Sequence, residues 1–201
     1  MIYKGFGVNN GAGVYNGAGV YKDGGAAPGN TVTIGGTTYN YVRVGNFYII
    51  TENLRYHTTR FEYPNKNPAN ESTMGLLYNA YYMFLEIIPI LPSGWRVPSI
   101  SEWEYLKSNV SPNSNDYIST VDGGNDSLQT NFRLCGYVNA SDIVTGYHSK
   151  ILLWSTTAHT SSQTKNIDVT KNATLDTTDF SNGSPTSNNN TSLSVRVIKD
   201  V

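Results

Sequence analysis

Apolar and polar positions alternate along Thr31-Val32-Thr33-Ile34 and again along Thr37-Thr38-Tyr39-Asn40-Tyr41-Val42-Arg43-Val44. Period-two alternation predicts strands, and Gly35-Gly36 between the runs predicts a hairpin turn. Phe47-Tyr48-Ile49-Ile50 adds a further short strand. Residues 55–73 are polar, carry Pro64 and Pro68, and predict a loop. From Leu76 to Ile88 the chain is apolar nearly all round, the pattern of a buried helix, which Pro89 and Pro92 close. A second helix, from about Ile100 to Ser108, has a written start. Pro98 disfavours helix at Val97, and Ser99 with Glu102 has capping-box spacing. Trp103 and Leu106 then share one helical face. Loops rich in Asn, Ser, Asp and Gly follow, with short strands expected near 132–138 and 151–155. The polar stretch 158–192 offers few large apolar residues, among them Ile167, Val169, Leu175 and Phe180. A final strand alternates Leu193, Val195 and Val197 on one side.

The first 30 residues read as a separate unit. Asn10-Gly11-Ala12-Gly13-Val14-Tyr15 recurs identically as Asn16-Gly17-Ala18-Gly19-Val20-Tyr21, after a degenerate copy, Lys4-Gly5-Phe6-Gly7-Val8-Asn9. Three short, glycine-dense copies are too small to bury a core, and ordering glycine is entropically costly. The readings left open are a docking arm, a plain flexible linker and a trimeric spiral. A docking arm explains the repeated apolar pair best, with Phe6, Val8, Val14, Tyr15, Val20 and Tyr21 as anchoring residues. Collagen is excluded because glycine does not fall at every third place. Asp23 to Asn30 is the hinge, so the expected units are 1–30, the arm, and 31–201, the domain proper.

Charge narrows the partners. Only 14% of the 201 residues are charged and the net charge is −1, which argues against nucleic acid, whose phosphates demand a basic surface. Aromatics at 12%, including 15 tyrosines, argue against wholesale disorder. One cysteine, Cys135, permits no intrachain disulfide, and its apolar surroundings predict a buried small side chain rather than a nucleophile. No run approaches 18 apolar residues, so no membrane span is expected, and Met1 to Gly7 lacks the apolar core of a signal peptide.

The run Pro92-Ser93-Gly94-Trp95-Arg96-Val97-Pro98-Ser99-Ile100-Ser101-Glu102-Trp103-Glu104-Tyr105-Leu106 resembles the pattern P-x-G-W-R-[LV]-P-[ST]-x-x-E-W-x-x-L. That pattern marks the Fibrobacter succinogenes major paralogous domain, a bacterial and phage module related to C-type lectin-like folds. Four further segments agree in order: Val42 to Leu54, Gly75 to Ala80, Leu152 to Thr157, and Ser194 to Asp200. The resemblance implies an α+β fold: a C-type lectin-like module with two helices and small antiparallel sheets, preceded here by the extended Gly-rich arm. It also implies that the last strand pairs with the first ones.

The calcium-dependent sugar motifs of C-type lectins are missing. Asp168, Asp176 and Asp179 share a loop region but match no calcium loop. His57, His148 and His159 lie far apart with no metal-ligand spacing, and no nucleophile elbow or phosphate loop occurs. The related formylglycine-generating enzymes need a cysteine pair or a metal-bound equivalent, which Cys135 alone does not supply. The expectation is therefore a non-enzyme without cofactor or metal. Trp95, Trp103 and Trp154 lie within the motifs and read as core, Glu102 as a cap, and Arg96 as a structural donor. Tyrosines beside Asn/Ser/Asp/Gly loops read as an adaptable recognition surface. The loops 113–127, 139–149 and 158–190 are the expected ligand-facing side, with Tyr117, Asp142, Tyr147, His148 and Phe180 as candidates.

Together these observations point to a virion-surface protein of a phage infecting Bacteroides-like bacteria: a head fibre, decoration protein or tail adhesin. Its arm, residues 1–22, would hold capsid or tail proteins, its copies would associate as a homotrimer, and its loops would bind host-surface or mucus glycan or protein. The alternatives are a bacterial cell-surface binding module, an enzyme of the formylglycine-generating type, and a purely structural capsid cement.

Overall fold

The alternation at the start of the domain becomes an antiparallel meander in the computed structural model, which describes residues 30–160, 163–176 and 191–201. Strand β1 (Thr31–Ile34) pairs with β2 (Thr37–Val44), and β2 with β3 (Phe47–Ile50). The chain's last strand, β10 (Ile198–Asp200), completes the sheet against β3, as the resemblance implied. Gly35 takes φ +56 at the first turn, and a β-carbon there would meet the Tyr56 ring.

This sheet is buried on opposite faces at its two ends. Val32, Ile34, Tyr39 and Ile50 enter one hydrophobic cluster with Leu76, Tyr78 and Trp154. Val42, Val44, Phe47, Ile49 and Ile198 enter a second cluster with Trp103, Phe132 and Leu153. Burying each such side chain contributes roughly 1.5–3 kcal/mol, so the sheet is held from both sides by the core. Pairing in β2 ties the two clusters to one register, because a one-residue slip would exchange its faces.

The predicted second helix is α3 in chain order (Ile100–Asn109), after α1 (Glu71–Met74) and α2 (Ala80–Tyr82). Its capping box forms as read: Glu102 N donates to Ser99 Oγ at 3.3 Å, and Ser99 N donates to Glu102 Oε2 at 2.6 Å. Trp103 and Leu106 are fully buried on its inner face.

The expected helix from Leu76 to Ile88 does not form. Tyr78–Asn79 is instead strand β4, α2 is a single turn, Met83–Ile87 is a π turn and Ile88–Ile90 a 3-10 turn. Asn79 explains the late start, since its Oδ1 accepts from Tyr81 N at 2.7 Å as a cap. Pro89 explains the irregular end: it has no N–H for the ladder and its ring crowds the preceding turn. The segment is not buried all round either, for Leu85 is 54% exposed.

Strand β4 pairs with β9 (Ser192–Leu193), which continues to β5 (Tyr137–Val138) and β6 (Val144–Thr145). The polar stretch expected to be loop carries a long hairpin, β7 (Lys150–Thr160) with β8 (Gln163–Thr170). Threonine suits a pleated surface, and Ile167 and Val169 alternate into the core opposite Leu153 and Ile151. The predicted last strand is split. Leu193, Val195 and Val197 do share a cluster, but only the two ends of the segment form ladders. The fold is thus mixed α and β, with few helices and several antiparallel sheets.

Buried ionisable groups make this core sensitive to alkali. Burial raises the pKa of Tyr39, Tyr78 and Tyr117, and pushes the Cys135 thiol up to about 11. The unfolded chain ionises these groups at their ordinary values, 9.0 for the thiol and 10.0 for tyrosine. The folded state therefore keeps protons that the unfolded state loses, and stability present below pH 9 falls as pH rises toward the folded values. Arg196 opposes one of the four, because burial lowers its guanidinium to about 9. Unfolding free energy is expected to fall by roughly 2–3 kcal/mol per pH unit just above pH 10. Denaturant titrations from pH 8 upward test this, and a flat profile would refute it.

Candidate functional site

The family-like segments converge on each other, which shows what they are for. Arg196, fully buried, donates from Nε to Asn53 Oδ1 at 2.7 Å and from Nη1 to Ile50 O at 2.6 Å and Thr130 O at 2.9 Å. Its Nη2 reaches Asn131 O at 2.9 Å, and the guanidinium lies 4.6 Å from the Phe132 ring centre. Asn53 in turn donates to Met74 O, and Gly75, at φ +73, sits where a β-carbon would strike the Asn53 backbone. Trp154 Nε1 donates to Tyr78 O at 2.7 Å. Arg96 joins Glu102 and Asp200 through its side chain, and its backbone pairs with Ile198. These side chains are spent on the scaffold.

The loops between them form a surface of their own. Ser119 caps a short 3-10 turn, Thr120–Asp122, and Gly123 (φ +84) ends it. The turn delivers the Asp122 carboxylate, 1% exposed, to Arg133 Nε at 2.7 Å and Leu134 N at 3.0 Å. His148 approaches the other oxygen, with Nδ1 at 3.4 Å, and its backbone N–H donates to Leu134 O at 2.8 Å. The Leu134 peptide groups thus clamp the 119–123 turn to the 146–149 turn. His148 stays 58% exposed and packs on Tyr147, ring centres 4.1 Å apart.

A third segment joins them. Lys66 Nζ contacts Glu62 Oε2 at 2.9 Å and Asp142 Oδ1 at 2.5 Å, linking the 139–145 loop to the 62–67 loop. Partial burial works against the ammonium, but Asp142 and Glu62 hold its pKa above the usual lysine value. Two large apolar side chains stand out of these loops, Val121 at 76% exposure and Ile143 at 58%. His148 and Asp142 adopt left-handed backbone, φ +59 and +63, which His and Asp tolerate better than most residues.

The sequence candidates divide accordingly. Asp142, Tyr147 and His148 belong to this surface. Tyr117 does not: it is fully buried, and its hydroxyl donates to Ser111 O at 3.0 Å inside the core. A ring beside polar loops pointed inward because the 3-10 turn at Ser114–Asp116 presents it to Phe132, 5.8 Å away. Phe180 and the six anchoring residues lie outside the described residues. The 158–190 region is not one loop, since residues 163–170 are strand β8. Its Asp168 is a strand residue whose carboxylate is held by Lys150 Nζ and Thr170 Oγ1, both at 2.5 Å. Sequence reasoning missed Asp122, Arg133, Val121 and Ile143. Arg133, set between apolar Phe132 and Leu134, was the legible signal.

The Fibrobacter succinogenes major domain family matches residues 39–199. The chain belongs to that family. No curated protein and no solved structure matches it. The matched span holds both the scaffold network and the loop surface, and the glycine-rich repeat lies before it.

Chemically, the surface offers a His–Tyr pair in tilted contact, exposed aliphatic side chains, and polar groups fixed by neighbours. With Nδ1 turned to Asp122, the rest of the His148 ring stays largely exposed. Cys135 is not a partner for it: the thiol is buried, lies 3.0 Å from Ser194 Oγ, and has its pKa raised by burial. Among the described residues no three His, Cys, Asp or Glu side chains gather as a metal site.

Proposed function

We propose that this chain is a non-enzymatic phage virion-surface protein whose C-type lectin-like domain binds host-surface or mucus ligands, glycan or protein, through the loops around His148. The observation that carries the binding role is the Leu134 clamp. It fixes two loops, with Val121 and His148 exposed, on a scaffold built by the family's own residues. Loops on a rigid frame are where recognition concentrates, and fixing them lowers the ordering cost of binding. The tandem Val-Tyr repeat supports the virion part of the reading, with residues 1–22 as the anchor to capsid or tail proteins.

Mass spectrometry of purified phage particles and of bacterial envelope fractions tests the location. Recovery only in envelopes would replace the virion reading with a bacterial surface module. Binding is tested with Val121→Asp/Ile143→Asp. Both sites are solvent-exposed, so stability is expected to stay within about 1 kcal/mol of wild type. Retention of the purified chain on host cells is expected to fall roughly tenfold or more. Unchanged retention would move recognition to another face.

A further inference from the structure

Where β2, β3 and β10 meet, one face of the first sheet carries aromatic and basic side chains together. Arg43 on β2 lies directly across from Tyr48 on β3, and Tyr48 lies across from Lys199 on β10. Tyr41 shares the Arg43 face of β2 by alternation. Arg96 pairs with Ile198, which brings Trp95 alongside Lys199. Tyr41 is the middle ring: its centre lies 5.2 Å from Tyr48 and 5.2 Å from Trp95, in edge contact with both. Tyr41 and Trp95 lean on the core with one side, whereas Tyr48 belongs to neither core cluster. All three rings are half-exposed, and Arg43 and Lys199 are exposed. Gly94 takes φ +81 at the turn before Trp95, and the Lys199 stem runs over it, with Cε 3.3 Å from where a β-carbon would stand. Arg43 Nε donates to Gly45 O at 3.2 Å, which ties its guanidinium to the β2–β3 turn.

We infer that this face binds an acidic polysaccharide, separately from the loops around His148. Its charge is one-sided. The only acidic residue in β2, β3 and β10 is Asp200, and alternation puts it on the opposite face, where it pairs with Arg96. Lys199 has no carboxylate partner among the described residues. A local positive patch on a chain of net charge −1 is complementary to an anionic ligand. The rings add flat apolar area against which the C–H faces of sugar rings pack, and their polar tips and the two cations meet hydroxyl and acid groups. Nucleic acid needs a longer basic track than two cations supply. A peptide added as a strand needs an open sheet edge, and here β2 lies between β1 and β3, β3 between β2 and β10, and β10 between β3 and Arg96.

Affinity electrophoresis of the full chain in gels carrying dextran sulfate or polygalacturonate, with neutral dextran as control, tests the inference. Wild type is expected to be retarded by at least one acidic gel and not by dextran. Tyr48→Ala and Lys199→Glu are each expected to weaken that binding roughly tenfold or more. Lys199 is exposed, so Lys199→Glu is expected to melt like wild type. A large drop in melting temperature for Tyr48→Ala moves that arm to Tyr48→Leu, which keeps apolar volume and removes the ring. Val121→Asp/Ile143→Asp adds negative charge on the loop surface and is expected to leave retardation unchanged, so failure here and failure of the loop reading are distinguishable. No retardation by either acidic polysaccharide overturns the inference. Wild-type binding by the Tyr48 variant also overturns it, because the face then acts by charge alone. Tighter binding to poly(dT) or polyglutamate than to the polysaccharides overturns it as well.

Discussion

Exchange of Arg196 for methionine is expected to cost the domain about 3–5 kcal/mol, at the upper end of single-residue effects. The guanidinium is fully buried with no carboxylate in direct contact among the described residues; it is held by the Asn53 amide oxygen and three backbone carbonyls. Methionine fills much of the volume but leaves those acceptors without donors, and each buried orphan costs about 1–3 kcal/mol before relaxation. Arg196→Lys is expected to rescue little, because an ammonium cannot reproduce the planar fork that serves four acceptors. Urea unfolding with an unchanged m-value reads the loss as a lower midpoint. A change under about 1 kcal/mol for methionine would mean that the carbonyls find other donors.

Trp103→Ala is expected to cost about 3–5 kcal/mol by a different route, the loss of apolar contact plus a cavity that rigid neighbours cannot close. Trp103 is fully buried and sets its edge on Phe132, ring centres 6.2 Å apart, while Phe132 lies under Arg196. The indole Nε1 has no hydrogen-bond partner among the described residues, so Trp103→Phe, which removes that donor and keeps most of the contact, is expected to cost clearly less than alanine. Because Trp103 and Arg196 share Phe132, the double variant should deviate from the sum of the two singles. Additive losses would show that the column does not act as a unit. A near-neutral Trp103→Ala would place the indole at the surface.

The two residues differ in how they could be read beforehand. Trp103 was legible as core because it follows a written cap and repeats at helical spacing with Leu106. Arg196 was legible only as a family residue: alternation puts it opposite Val195 and Val197, and a strand's solvent side is the ordinary place for arginine. Burial of that face by residues 130–132 reversed the expectation. Tyr117 misled for the same reason, since its polar neighbours said loop while the turn aimed its ring inward. The failed helix shows local caps and proline outvoting apolar periodicity. Asn79 caps the chain late and Pro89 breaks it early, so too few residues remain between them for a regular helix.

By itself the sequence determined the meander, the capped helix, the buried thiol and family membership, because each rests on short-range chemistry: alternation, capping and spacing. It also determined that residues 139–149 would carry exposed Asp142 and His148. Only the tertiary structure decided which faces of β2 are buried, that Arg196 is the buried pin of the scaffold, and that Leu134 clamps two loops into one surface. The Arg196 pin depends on partners 65 to 146 residues away, among them Asn53 and Ile50. The physical reason is that a local pattern fixes which backbone conformation is cheap, whereas burial depends on what arrives from elsewhere in the chain.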